Sequence, residues 1–383
     1  MPDVAIIGVG LHPFGRFPGK PALSMGAEAA RAALADAGLT WADMQFAVGG
    51  SAEVDQPDAV VAELGLTGIQ FTNVYNGCAT AGSALALASR TIRSGEHEVG
   101  LVLGMDKHER GALTADPEEY ACPRWYGEMG LFLTTKFFGM KINRYMHDHG
   151  ITHETLAHVA AKNYRNASLN PNAFRRTPLS PDQILQSPML NYPLTQYMFC
   201  SPDEGAAAVV VCSAPIARRY TDRPVYLRSV AVRTRRYGAY EVHTPSASPS
   251  SSHVPAPTVD AAAAAYEAAG IGPDEIGIAQ LQDTDAGAEV IHMAECGLCK
   301  DGDQNELIAS GATSLTGRLP VNSDGGLIAN GEPVGASGLR QIHELVVQLR
   351  GRAGDRQVQS EPTVALAHLY GAPGVSAVSI LST

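Results

Sequence analysis

From Val4 to Gly104 short apolar runs alternate with stretches whose apolar residues recur at helical spacing, and the same alternation returns after Val225. Val4–Val9, Phe46–Val48, Thr72–Tyr75 and Glu98–Gly104 read as strands. Leu23–Ala37, closed by Gly38, and Ala81–Ser94 read as helices between them. A period near two switching repeatedly to one near 3.6 restricts the chain to the α/β class. The rhythm predicts a mostly parallel sheet with helices on both faces. From about Glu109 to Ser201 the rhythm stops, and polar stretches such as residues 162–176 replace it, which predicts a large insertion. Sheet rhythm resumes at Ala206–Cys212 and Val225–Val232. It continues as a helix at Val259–Ala269, a strand near Ile278–Leu281, a helix around Ala288–Cys296, a helix at Leu339–Leu349 and two strands within Thr363–Leu381. The later half therefore echoes the first, which predicts a structural duplication without a residue-level repeat. Ser246–Pro257, rich in serine and proline, is expected to be an exposed loop.

The 383 residues are 45% apolar and 17% charged, enough chain to bury a sizeable core in two or three units. Lysine and arginine total 28 against 39 acids, for a net charge of −11. That balance argues against sequence-independent binding to nucleic acid, which draws its affinity from clustered cations. No run approaches the ~18–20 apolar residues of a spanning helix. The acidic, short N-terminal run reads as a first buried strand rather than a signal peptide. Six cysteines in a chain of this length do not form a disulfide framework, so reduced thiols and a cytoplasmic location are expected.

Four segments could carry chemistry. In Asn73–Gly82 a strand runs into a glycine turn, then Cys78, then a helix. A thiol there would meet free amides and the helix dipole, which lower its pKa and favour a nucleophilic thiolate; the plainer alternative is a small apolar filler. Asn322–Gly326 and Asn330–Gly338 hold five glycines ahead of a helix, suited to close backbone approach to a ligand, with Glu332 the single acid of the second stretch. The alternative is a turn-rich connection. Asp283 falls at the end of a strand, where α/β sites form, although a helix cap accounts for it equally simply. His368 and Tyr370 flank a break between apolar strands, where His368 reads as a core histidine. Cys296 and Cys299 have no second CxxC or paired histidines at zinc-site spacing, so they read as structural and no metal is expected.

In their order along the chain these pieces resemble the thiolase superfamily, nearest its sterol-carrier-protein-type branch and the bacterial lipid-transfer thiolase-like proteins. Asn76-Gly77-Cys78-Ala79-Thr80 is similar to the family's nucleophile segment. The stretch from Pro193-Leu194 through Cys200-Ser201-Pro202-Asp203-Glu204-Gly205-Ala206 resembles the one that ends the family's loop domain. Asn322-x-x-Gly325-Gly326 with Gly331-x-Pro333-x-Gly335-Ala336-Ser337-Gly338 resembles its C-terminal signature. The resemblance implies two similar βαβαβαββ halves in a five-layered α/β/α/β/α core. Residues 1–110 (completed by 203–222) would form the N-terminal half, 111–202 the loop domain and 223–383 the C-terminal half.

The same resemblance implies an acyl-CoA substrate, with coenzyme A held near Gly331, Gly335, Ser337 and Gly371. It also implies a homodimer and a small partner with an OB-fold and zinc ribbon, completing a heterotetramer. The departures from the family pattern concern chemistry. Gln282-Asp283-Thr284-Asp285 stands where an HDCF-type motif supplies a histidine, Glu332 stands for the GHP-type histidine, and the second acid/base cysteine is missing from its usual places. Cys78 is then the expected nucleophile and Glu332 the base, with Asp283, His368 and Tyr370 as further proton donors or acceptors. Three functions follow: Cys78-dependent acyl transfer on a 3-ketoacyl-CoA, retro-aldol cleavage of a 3-hydroxyacyl-CoA of the steroid side-chain type, or non-catalytic acyl-CoA or lipid binding.

Overall fold

The computed structural model describes residues 4–114, 116–120, 122–236, 254–372 and 374–383. The first half runs β1 (Val4–Gly15), α1 (Ala22–Ala37), β2 (Phe46–Gly50), β3 (Gln70–Val74), α2 (Thr80–Arg93) and β4 (Val99–Lys107). An insertion follows, with α3 (Thr134–His149) and α4 (His153–Ser168), before the chain returns as β5 (Glu204–Ser213). The second half comprises β6 (Val225–Thr234), α5 (Pro257–Ala269), β7 (Ile278–Gln280), α6 (Ala286–Glu295), α7 (Gly326–Asn330), α8 (Val334–Leu349), β8 (Val364–Gly371) and β9 (Val375–Ser382). The predicted elements recur with shifts of a few residues at their ends. The part of the expected Ser246–Pro257 loop up to His253 lies outside the described residues, and Pro257 itself opens α5.

Nine strands form one sheet in the order β3-β2-β4-β5-β1-β6-β9-β8-β7. The order is a palindrome of pairings. From one end, β3–β2 and β2–β4 are parallel while β4–β5 and β5–β1 are antiparallel. From the other, β7–β8 is parallel, while β8–β9 and β9–β6 are antiparallel, and a single parallel bridge from Ala279 to Val321 stands where β3 stands in the first half. The duplication is thus real in topology. The expectation of a mostly parallel sheet is corrected: antiparallel pairs outnumber parallel ones. Apolar runs such as the wholly buried Gly205–Cys212 of β5 report burial on two faces and not strand direction.

The halves join where Val4–Ile6 of β1 pairs with Val225–Leu227 of β6. α1 covers the outer face of β1, β5 and β4, and α5 covers the outer face of β6 and β9. α2 and α8 pack on each other and on strands of both halves, which makes them the middle of five layers and completes the thiolase fold. α8 is buried along nearly its whole length, as a helix between the two halves of the sheet must be.

Lys107 and Glu204 are register partners, so the insertion leaves and re-enters the sheet at one point. Its helices α3 and α4 share an apolar core with Ala286, Val290 and Ile291 of α6 and Leu327 and Ile328 of α7. It therefore leans on the second half, over the ends of β7 and β8. No helix among the described residues is long and apolar enough to cross a membrane.

Candidate active site

The C-terminal ends of the parallel strands meet below the insertion, the usual place for a site in an α/β sheet. Cys78 lies in the turn between β3 and α2. Gly77 takes a left-handed φ of 55°, Ala79 N–H donates to Asn76 O at 3.1 Å and Thr80 N–H to Gly77 O at 3.0 Å. The Thr80 hydroxyl donates to Gly77 O at 2.6 Å and accepts from Asn76 N–H at 2.8 Å, which fixes the turn from both sides. Cys78 is half-buried, whereas Ala79 and Thr80 beside it are fully buried.

Gly371, at the end of β8, packs directly on this turn. A methyl group at its Cα would sit 2.5 Å from Asn76 O, 2.9 Å from Ala79 N and 3.2 Å from Cys78 N, so only glycine fits. Two backbone segments from opposite halves therefore converge at the thiol.

Glu332 is the centre of the arrangement. It follows Gly331 in the link between α7 and α8, and its N–H donates to Ser201 O at 2.9 Å. Its buried carboxyl group accepts hydrogen bonds from two side chains. Gln282 Nε2 donates to Oε1 at 2.8 Å and Cys200 Sγ donates to Oε2 at 3.2 Å, and the Cys78 thiol lies close by. Burial pushes the Glu332 carboxyl above its usual range, while the nearby Cys78 thiol and the Cys200 and Gln282 bonds pull the other way.

The thiols respond in the opposite sense. Burial pushes Cys78 well above the usual thiol range, and the Glu332 charge adds to it. This corrects the expectation that the helix start lowers its pKa: the amide contribution is outweighed by desolvation and a neighbouring carboxylate. At rest Cys78 is therefore held as a thiol beside the Glu332 carboxyl group. Cys200 is likewise held as a thiol, by burial first and by Glu332 second.

The surrounding frame is rigid. Asp106, at the end of β4, accepts from Ser51 Oγ at 2.6 Å, Ala52 N–H at 2.9 Å, Glu53 N–H at 2.9 Å and Gly335 N–H at 2.5 Å, which ties the first half to the start of α8. His108 accepts from Val334 N–H on Nε2 at 3.2 Å and faces Glu53 Oε1 with Nδ1 at 2.8 Å, a pattern that assigns its proton to Nδ1.

Several expected site residues lie elsewhere. Both oxygens of Asp283 are spent on framework donors, namely Leu327 N–H at 2.6 Å, Ile328 N–H at 3.3 Å and Asn163 Nδ2 at 2.8 Å, so it anchors the start of α7 and is no base at the thiol. Strand alternation separates the β8 residues: Leu369 packs between α2 and α8 with the Gly371 face, whereas His368 and Tyr370 point the other way. His368 faces Thr258 Oγ1 at 3.1 Å and the ring of His292 at 4.3 Å, and Tyr370 lies beneath the Lys141 ammonium at 4.4 Å. Neither is aimed at Cys78.

The expected coenzyme A contacts change as well. Gly335 is jammed against the backbone of Gly50 and Ser51, Ser337 Oγ is fully buried 3.4 Å from Val334 O, and Gly331 abuts Asp203. These three shape the turn that carries Glu332 and leave Gly371 as the one of the four that touches the nucleophile segment.

Gln282, Cys200 and His108 were missed as site residues. Gln282 was legible, since it occupies the place of a family histidine. Cys200 stood within a motif stretch, yet 132 positions separate it from Glu332 and only folding joins them. His108 had no sequence signal.

Comparison with known proteins accords with this geometry. Residues 4–177 match the family model "Thiolase, N-terminal domain", and residues 239–383 match "Thiolase C-terminal domain-like". The chain is 32% identical over 396 residues to an acetyl-CoA acetyltransferase of Methanothermobacter thermautotrophicus, covering all of both chains. It is 32% identical to sterol carrier protein 2 of Oryctolagus cuniculus over 99% of this chain and 72% of that one. The solved Ltp2-ChsH2(DUF35) aldolase superposes with a TM-score of 0.87 at 27% identity, covering 100% of this chain and 98% of that one. With its duplicated five-layer core, its nucleophile turn and full-length relatives, this protein belongs to the thiolase superfamily, as a member of the sterol-carrier-protein-2 type.

Proposed function

We propose that the protein cleaves or forms carbon–carbon bonds in acyl-CoA thioesters by acyl transfer through Cys78, with a 3-ketoacyl-CoA as substrate. The observation that carries this reading is the Glu332 carboxyl group, held by Gln282 and Cys200 next to the Cys78 thiol, on which Gly371 packs. Glu332 takes the thiol proton as the sulfur attacks the 3-keto carbon. The amides of Cys78 and Gly371 are the donors nearest the developing oxyanion, and such a donor contributes on the order of 10²–10³ in rate. The C2–C3 bond breaks, the leaving thioester enolate takes the proton from Glu332 at C2, and an acyl-Cys78 remains. Free coenzyme A then gives its thiol proton to Glu332 and takes the acyl group, and Cys78 recovers its proton. One carboxylate serves both half-reactions, replacing the histidine that other thiolases use.

The elevated pKa of Cys78 and the likeness to an aldolase favour a second reading. There Glu332 removes the proton of a 3-hydroxyl group, the C2–C3 bond breaks to a carbonyl product and a thioester enolate that takes the proton back from Glu332 at C2, and no acyl-enzyme forms. Intact-protein mass after incubation with a panel of 3-ketoacyl-CoA thioesters separates the two. An adduct absent from Cys78→Ser and released by coenzyme A supports acyl transfer. Binding without an adduct, with full turnover of 3-hydroxyacyl-CoA by Cys78→Ser, supports the aldolase.

A further inference from the structure

Thiolases pair a nucleophilic cysteine with a second, acid/base cysteine, and neither usual position for the second one holds a cysteine here. The fold nevertheless brings another thiol to the site from an unrelated segment. Cys200 lies near the end of the insertion, four residues before β5 begins, and is buried beside Phe199 and Met198. Its backbone is pinned by Cys200 N–H donating to Thr284 O at 2.9 Å, so the segment after β7 positions it. Its Sγ is 3.2 Å from Glu332 Oε2, opposite the Gln282 amide on Oε1.

We propose that Cys200 is a positioning residue that acts through Glu332: with Gln282 it holds the carboxylate ionised and aimed at Cys78. Two donors are fixed on one buried carboxyl group, with the nucleophile beside it. Both donors, Cys200 and Gln282, are buried in the framework, whereas the nucleophile is half-exposed. A carboxylate with no fixed donors in such a place would take up a proton and cease to be a base. Serine in place of Cys200 would keep a donor on Oε2, whereas an apolar residue would leave that oxygen bare. This inference rests on Glu332 acting as the partner of Cys78, and it deepens that reading without depending on the identity of the acyl group.

The test uses alkylation of Cys78 by iodoacetamide, followed by intact mass and peptide mapping across pH 4–11, with no acyl-CoA present. The pair titrates in two macroscopic steps, and the lower one follows Glu332. Cys200→Ala is expected to move that lower step up by about one pH unit, the size of losing one hydrogen bond to a charged group. Cys200→Ser is expected to leave it near the wild-type position. Cys200→Val, closer to cysteine in volume, carries the same expectation as alanine if the smaller residue collapses the site. A lower step that stays put in both apolar variants, or that moves equally in Cys200→Ser, overturns the proposal and leaves Cys200 a packing residue. Because no thioester is used, failure of the acyl-enzyme reading appears separately, as the absence of an adduct with an intact alkylation profile.

Discussion

The Gln282 amide donates to Glu332 Oε1 at 2.8 Å, joining the two residues that stand where the family's motifs carry histidines. The pair has exchanged two imidazoles for an amide and a carboxylate, so a proton-accepting group survives while the cationic form of histidine does not. Further bonds support it: Gln282 O faces His292 Nδ1 at 2.8 Å, and Gln282 Nε2 also reaches Thr284 Oγ1 at 3.3 Å.

Glu332→Gln should separate two properties of Cys78. Acyl-adduct formation is expected to fall on the order of 10²–10⁴-fold, since the base is gone. The alkylation midpoint of the thiol is expected to move to lower pH, because the carboxylate charge no longer opposes thiolate formation. Single-turnover mass measurements and iodoacetamide kinetics on the same preparation check both.

Gly371→Ala should lower acyl-adduct formation by on the order of 10²-fold, with a smaller effect on stability. The added methyl meets Asn76 O and Ala79 N and must displace the nucleophile turn. Rates of adduct formation compared with the thermal midpoint distinguish displacement of the turn from unfolding.

Asp283→Asn should behave differently. The side chain accepts two backbone N–H groups at the start of α7 and one from Asn163, so its loss is expected to cost about 1–3 kcal/mol. Folded molecules should still form the Cys78 adduct. Urea unfolding beside adduct yield per folded molecule provides the check; a normal urea midpoint with no adduct would return Asp283 to the chemistry.

Acid should destabilise the protein through the His292–His368 pair. Burial, with Lys141 adding to it, takes His292 down to about 3, and burial holds His368 well below the usual range, with His292 and Lys141 adding to it. The unfolded chain therefore binds protons that the folded chain refuses, so stability falls as pH drops from ~6.5 towards 3. His368→Gln should make that decline shallower by about one proton while leaving the Cys78 adduct intact. Urea midpoints measured at successive pH values test the slope.

Much of the fold was written in local pattern. The 2-to-3.6 alternation is a property of neighbouring residues, so β1, α1, α2 and β4 could be read with small errors at their ends. The halt in rhythm near Glu109 and its return at Ala206 marked the insertion for the same reason. Strand direction was not legible, because β5 and β9 are buried on both faces whichever way they run.

The site divides along the same line. The sequence by itself determined that Cys78 lies in a turn before a helix and that Glu332 replaces a histidine, since both depend on contiguous residues. Only the tertiary structure decided that Glu332 sits between Cys78, Cys200 and Gln282, which come from three distant segments. It also turned Asp283 into a cap and faced His368 and Tyr370 away from the thiol. The physical reason is that a pKa and a proton path depend on what is buried against what. Desolvation and a carboxylate brought from the other half of the chain outweigh the amide effect that the local turn alone suggests.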